Sequence, residues 1–286
     1  MTQSAFDILR PAVARSPVLF ASPHSGRDYR PEFLARATLD PLALRSSEDA
    51  FVDRLFDAAP QFGAPLIAAR LPRAWIDFNR SSEELDPALI DGLPRAPITP
   101  RISAGLGVVP RVVAGGRPIY RGKLSRAEAD ARIADAWLPY HRHLTALMDE
   151  TRARFGRAVL IDCHSMPHEA LENGLRGAGS RPQVVLGDRF GTSACGEIVA
   201  RIEEAFRATG LRVARNTPFA GAYVTEHYGR PSVGWHVVQV EIDRALYMDE
   251  RRIAPLPRFA ALQRALRGVI AQIVTMDAGD MPLAAE

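Results

Sequence analysis

The chain has 286 residues, 47% of them hydrophobic and 24% charged, with two cysteines and a formal net charge of +3. A chain this long buries a core without disulfide staples, and Cys163 and Cys195 make neither a disulfide framework nor a CxxC metal knuckle. The basic residues are scattered, which reads as a solvated surface and argues against a nucleic-acid partner. No apolar run reaches the roughly 18 residues that cross a bilayer. The N-terminal stretch lacks the basic start, apolar region and cleavage site of a signal peptide, so a cytoplasmic location is expected.

In chain order, short apolar runs predict strands at 18–22, 66–71 with an extension through 75–78, 159–163, 184–186, 211–214 and 236–242. Several are continuous apolar runs, as in a sheet covered on both faces. Ser and acidic residues at the start of 46–56 predict a helix there. Ser125 and Glu128 form a capping-box pattern ahead of Ile133 and Trp137. Pro139 breaks or kinks that helix, and 140–154 continues it. Ile198, Ile202, Ala205 and Phe206 form one apolar stripe at helical spacing, and Phe259, Leu262, Leu266, Val269, Ile270 and Ile273 form another; both read as core faces.

This alternation predicts a three-layer α/β/α fold with a mixed, mostly parallel sheet, in a single domain over 1–286. Residues 86–116, rich in Pro, Gly and Arg, are too long for an ordinary connection and are expected to form a functional loop, lid or rim. The tail at 277–286 is expected to be loose.

Five segments carry candidate chemistry. In VLFASPHSGRDY an apolar strand runs into His24, where open α/β sheets bind ligands; a turn histidine bonded to backbone is the competing reading. In RSSEDAFVDRLF, Glu48, Asp49 and Asp53 fall on the predicted helix start, where acidic capping accounts for the first two. In AVLIDCHSMPH, Asp162 and His164 point to one side of a strand end, so the carboxylate can orient the imidazole. In WHVVQVEIDRALY, Gln239, Glu241 and Asp243 alternate with apolar residues, which also fits a half-exposed strand. In LPRAWIDFNRSSEELDP, Asn79 and Arg80 follow a strand-like run, and such a pair suits capture of a carboxylate, or makes a surface turn. Two strand-end histidines plus a carboxylate give three ligands and one open position, the pattern of catalytic zinc, with a further carboxylate as general base.

These segments, in this order and together with RPIYRGKLS, PYHRHL, NTPFAGAYVTEHYG and QVEIDRALYMD, resemble the N-formylglutamate amidohydrolase family over roughly 18–249. The resemblance implies a fold similar to zinc carboxypeptidases and aspartoacylase-like deacylases. It implies hydrolysis of the formamide bond of N-formyl-L-glutamate to formate and L-glutamate, a late step in histidine degradation. One divalent metal, zinc in the first place, is implied on His24, His164 and an acid, Asp49 being favoured and Glu48 the alternative, with Asp162 in support. A metal-bound water is then the nucleophile and Glu241 the general base. Asn79 and Arg80 are implied to grip a substrate carboxylate, Arg121 to assist catalysis, and His141, Asn216 and Thr225 to line the pocket. The run FAGAYVT has Ala222 where a second glycine is expected, which bears on acyl or amino-acid preference. Two other readings stand beside this one: a related N-acyl-amino-acid deacylase or carboxypeptidase-like hydrolase, and a non-catalytic protein that binds small acids.

Overall fold

The structure, a computed structural model, describes residues 4–94, 99–174 and 181–276. Its strands are β1 (Phe6–Leu9), β2 (Val18–Ser22), β3 (Leu66–Ala69), β4 (Val112–Val113), β5 (Arg117–Pro118), β6 (Ala158–Met166), β7 (Val184–Gly187), β8 (Val213–Arg215), β9 (Trp235–Asp243), β10 (Met248–Asp249) and β11 (Ala254–Pro255). Its helices are α1 (Pro31–Arg36), α2 (Pro41–Leu44), α3 (Val52–Leu55), α4 (Pro100–Ser103), α5 (Arg126–Arg132), α6 (Leu138–Phe155), α7 (His168–Gly174), α8 (Gly196–Arg207), α9 (Tyr223–Tyr228) and α10 (Phe259–Ile273).

Seven strands form one sheet in the order β1-β3-β2-β6-β9-β7-β8. The β2–β6, β6–β9 and β7–β8 pairs are parallel and β7–β9 is antiparallel, so the sheet is mixed and mostly parallel within an α/β/α fold. Every residue of β2, β3, β6 and β7 is buried. Their apolar runs are long because no face of these strands meets water, and each fully buried Leu, Ile or Phe contributes about 1.5–3 kcal/mol.

The chain divides into two compact units interleaved in sequence. The first takes the N-terminal residues to Asp7, Pro23–Ala50 and Ala68–Leu144; the second takes Ile8–Ser22, Phe51–Ile67 and the chain from Thr145 onward. In the second unit α8 and α10 bury the two predicted stripes in full.

The structure corrects several expectations. Residues 46–56 are not one helix: a 3-10 turn over Arg45–Ser47 gives way to extended backbone at Glu48, Phe51 is left-handed at φ 68°, and only then does α3 begin. Asp49 therefore lies outside the helix that holds Asp53. Tertiary bonds win over helical propensity, since Asp49 N donates to His24 O (3.0 Å). The stretch 75–78 is not a strand, because Pro72 starts a turn closed by Trp75 N to Pro72 O (2.9 Å). The β1 strand was not anticipated. Ser125 does cap α5, accepting from Glu128 N at 3.2 Å. The helix widens into a π turn over Ile133–Trp137 just before Pro139, which lacks an N–H to continue the ladder. Within 86–116, Thr99 caps α4, and β4 pairs with β5. The tail at 277–286 lies outside the described residues.

One buried histidine sets an acid limit on stability. His236 on β9 accepts from Cys195 N at Nδ1 (3.4 Å), and burial together with Arg157 holds its pKa down to about 4. A histidine depressed in the folded state stabilises the fold fully above its unfolded pKa of about 6.5 and loses that contribution as pH falls towards 4. Unfolding free energy measured in urea should therefore drop by about 2 kcal/mol more between pH 7 and pH 5 in the wild type than in a His236→Asn variant. Equal pH dependence in the two proteins would remove His236 as the cause.

Candidate active site

In the first unit, His24 lies two residues past the end of β2, and both it and Asp49 are buried. Its Nε2 is 2.6 Å from Asp77 Oδ1, and its Nδ1 is 3.4 Å from Asp49 Oδ2. Asp77 also accepts from the backbone N of Asn79 at Oδ1 (2.8 Å) and from Arg73 Nε at Oδ2 (2.9 Å). Burial alone would raise this carboxyl, but His24, Arg73 and Arg80 outweigh it and hold Asp77 well below the usual carboxylate range. An ionised Asp77 accepts only, so Nε2 of His24 carries the ring hydrogen and a neutral ring keeps its lone pair on Nδ1.

Glu48 is built into a different contact. Its oxygens accept from Arg45 Nε (3.0 and 3.2 Å), Arg45 Nη2 (3.1 Å) and the Tyr29 hydroxyl (2.7 Å). Burial pushes this carboxyl up, against the pull of Arg45 and Tyr29. The extended backbone at Glu48 separates the two acids: Glu48 serves Arg45, and Asp49 faces His24.

Asn79 and Arg80 are buried in the same unit. Arg80 donates from Nε to Leu106 O (3.1 Å) and from Nη1 to Asn79 O (2.8 Å), which fixes the plane of the guanidinium. Burial lowers its pKa, with Asp77 opposing. His141 points Nε2 at Phe78 O (2.9 Å) and lies on Trp137 with ring centroids 4.0 Å apart. Arg121 is exposed, unlike the desolvated donors that stabilise a developing charge most strongly.

In the second unit, β6 and β9 run parallel with His164 opposite Glu241 and Asp162 opposite Gln239. Residues two apart share a face, so these four polar side chains project from one side of the sheet centre. His164 Nε2 is 3.0 Å from Asp162 Oδ2, and Asp162 has no exposed surface. With Nε2 turned to Asp162, a neutral His164 ring keeps its one lone pair on Nδ1, as for His24. Thr225 is fully buried and donates to Ala222 O (2.7 Å). Asn216 has a left-handed backbone (φ 59°), and both ends of its amide close a turn on Asp188: Nδ2 donates to Asp188 Oδ1 (2.6 Å) and Oδ1 accepts from Asp188 N (3.0 Å).

His24, Asp49 and His164 each offer one ligand atom, and the three atoms lie within 4.8 Å of one another. Two ligands about 2.0–2.1 Å from a tetrahedral ion stand about 3.3 Å apart, close to the His24–Asp49 spacing. The donor set, two imidazoles each backed by a buried carboxylate plus one carboxylate oxygen, fits a divalent ion of the zinc type. Asp77 and Arg73 were missed in the sequence, although Asp77 stands two residues before Asn79 in the WIDFNR segment.

Residues 16–248 match a family model described as N-formylglutamate amidohydrolase. The chain is 33% identical to an N-formylglutamate deformylase of Pseudomonas aeruginosa, covering 91% of this chain and 92% of that one. It is 31% identical to an N-formylglutamate deformylase of Pseudomonas putida over 82% and 83% of the two chains. The crystal structure of N-formylglutamate amidohydrolase from Ralstonia eutropha JMP134 superposes with a TM-score of 0.89 at 36% identity, covering 95% of this chain and 98% of that one.

The Asp77–His24 bond makes a direct prediction. Asp77→Ala should weaken divalent-ion binding by about 10- to 100-fold in competition with a chelator, because the imidazole loses the carboxylate that fixes its tautomer. An unchanged affinity would separate Asp77 from the ion.

Proposed function

Because the chain belongs to the N-formylglutamate amidohydrolase family, we propose that it hydrolyses the formamide bond of N-formyl-L-glutamate, releasing formate and L-glutamate. The observation that carries this reading is the buried group of His24, Asp49 and His164. It supports a hydrolytic metal centre, and zinc is the proposed ion. The family likeness supports a place late in histidine degradation. No helix among the described residues is long and apolar enough to cross a membrane; a cytoplasmic location and a single amidohydrolase domain belong to the same proposal.

In the proposed mechanism a bound divalent ion supplies Lewis acidity, bringing the pKa of a water at the site to about 7 and polarising the formyl carbonyl. His24, Asp49 and His164 hold the ion, and Asp77 and Asp162 hold the two imidazoles. Glu241 removes the proton of the attacking water and delivers it to the glutamate nitrogen as the C–N bond breaks. Arg80, its plane fixed by two backbone carbonyls, grips a substrate carboxylate with Asn79 beside it. His141 and Thr225 line the pocket in this proposal. Asn216 and Arg121 are assigned less direct parts: Asn216 shapes a turn, and Arg121 attracts the dianionic substrate from the surface.

The test pairs metal content with formate release from N-formyl-L-glutamate, N-formyl-L-aspartate and N-acetyl-L-aspartate. The expected outcome is one zinc per chain and fastest turnover of N-formyl-L-glutamate. Preference for another of the three amides would move the substrate assignment to a related deacylase. Absence of both metal and turnover would leave a small-acid binding protein. Glu241→Gln should keep the metal and lose at least about 100-fold in kcat, the usual worth of a general base, whereas His164→Ala should lose the metal itself.

A further inference from the structure

We propose that Gln239 is the positioning residue of Glu241, holding the carboxylate in one orientation; this rests on Glu241 being the base. Gln239 precedes Glu241 by two residues on β9, shares its face and is buried. Its Nε2 donates to Glu241 Oε1 at 2.9 Å, and its Oε1 accepts from the backbone N of Ala222 at 3.1 Å.

The second bond determines the first. A backbone N–H only donates, so it must meet the oxygen end of the carboxamide. The amide cannot turn over without setting two donors against each other, and its NH2 end is thereby aimed at Glu241. It also pins Oε1 of Glu241.

The anchor itself is closely packed. Gly187, at the end of β7, touches the backbone of the loop before α9 so closely that a Cβ there would lie 2.7 Å from Ala220 C. Arg189 N donates to Ala220 O at 2.8 Å. Gly221 has φ +114°, and a Cβ on it would come within 2.4 Å of Thr225 Oγ1. The Ala222 N–H is thus presented by packed backbone, and the orientation of the base is traced through one glutamine to the loop before α9.

A glutamine that merely fills space or anchors the loop predicts something different, and Gln239→Glu separates the two. Glutamate has the same shape and still accepts from Ala222 N, so loop anchoring survives. It replaces the donor to Glu241 by a second carboxylate, and two carboxylates at this separation share a proton, which raises the pKa of the pair.

The full-length, metal-loaded enzyme is assayed with N-formyl-L-glutamate across pH, with thermal unfolding and metal content measured in parallel. For Gln239→Glu the expected result is wild-type metal content, with kcat lower by about tenfold or more, KM within about twofold, and the acidic limb of kcat moved up by about one pH unit or more. Gln239→Leu removes the donor without adding charge, and its acidic limb should rise by less. If Gln239→Glu does not fold, Gln239→Leu alone decides, an unmoved limb rejecting the proposal. A Gln239→Glu enzyme with wild-type kcat and limb overturns the positioning role. Glu241→Gln distinguishes the two levels: if it is inactive while both Gln239 variants behave as wild type, only the role of Gln239 fails; if it is active, the base assignment fails first.

Discussion

The first unit is organised around one buried carboxylate. Asp77 takes the ring hydrogen of His24, the backbone hydrogen of Asn79 and the guanidinium of Arg73 on two oxygens. A carboxylate with 2% of its surface exposed is costly unless it is paired and fully bonded. The same bonds that make its burial tolerable also do positional work. They choose the nitrogen that His24 presents, and they set the backbone from which Asn79 and Arg80 project. Removing one partner of such a group generally costs about 3–5 kcal/mol, so folding of this unit and readiness of its polar side chains are one requirement.

The second unit repeats the logic with different residues. Asp162 fixes His164, and Gln239 meets Glu241. In both units a histidine that can bind an ion is backed by a carboxylate through Nε2, which leaves Nδ1 for the ion. The two histidines come from strand-end segments of different local shape, His24 beyond its strand and His164 within one. The shared tautomer therefore comes from the carboxylates and not from a common backbone motif.

What the sequence made legible follows from which forces act locally. β6 and β9 were readable because central strands are apolar on both faces, and their polar exceptions, Asp162, His164, Gln239 and Glu241, fall at period two. The pairing of His164 with Glu241 was not readable, since register depends on neighbouring strands. The helix expected over 46–56 failed at Phe51, whose left-handed backbone no propensity predicts. β1 is a four-residue strand at the sheet edge with Phe6 as its one buried residue, too little apolar signal to register. Asp77 left no trace because it lies outside helix and strand, where spacing carries no facial information. Residue chemistry singled out Asn79 and Arg80, and the resemblance added their role, without the carboxylate beneath them.

Ala222 shows how a single position changes meaning once its backbone is known. A glycine was expected there, and the added methyl bore on substrate preference. The residue adopts φ −119° and ψ −147°, which needs no left-handed backbone, and alanine fits without that strain. The conformational demand falls one residue earlier, on Gly221 at φ +114°. What Ala222 contributes is its N–H to Gln239, which any residue but proline supplies. The alanine is thus compatible with the backbone of this loop, and the link that its position makes to the site runs through its N–H to Gln239 and from there to Glu241.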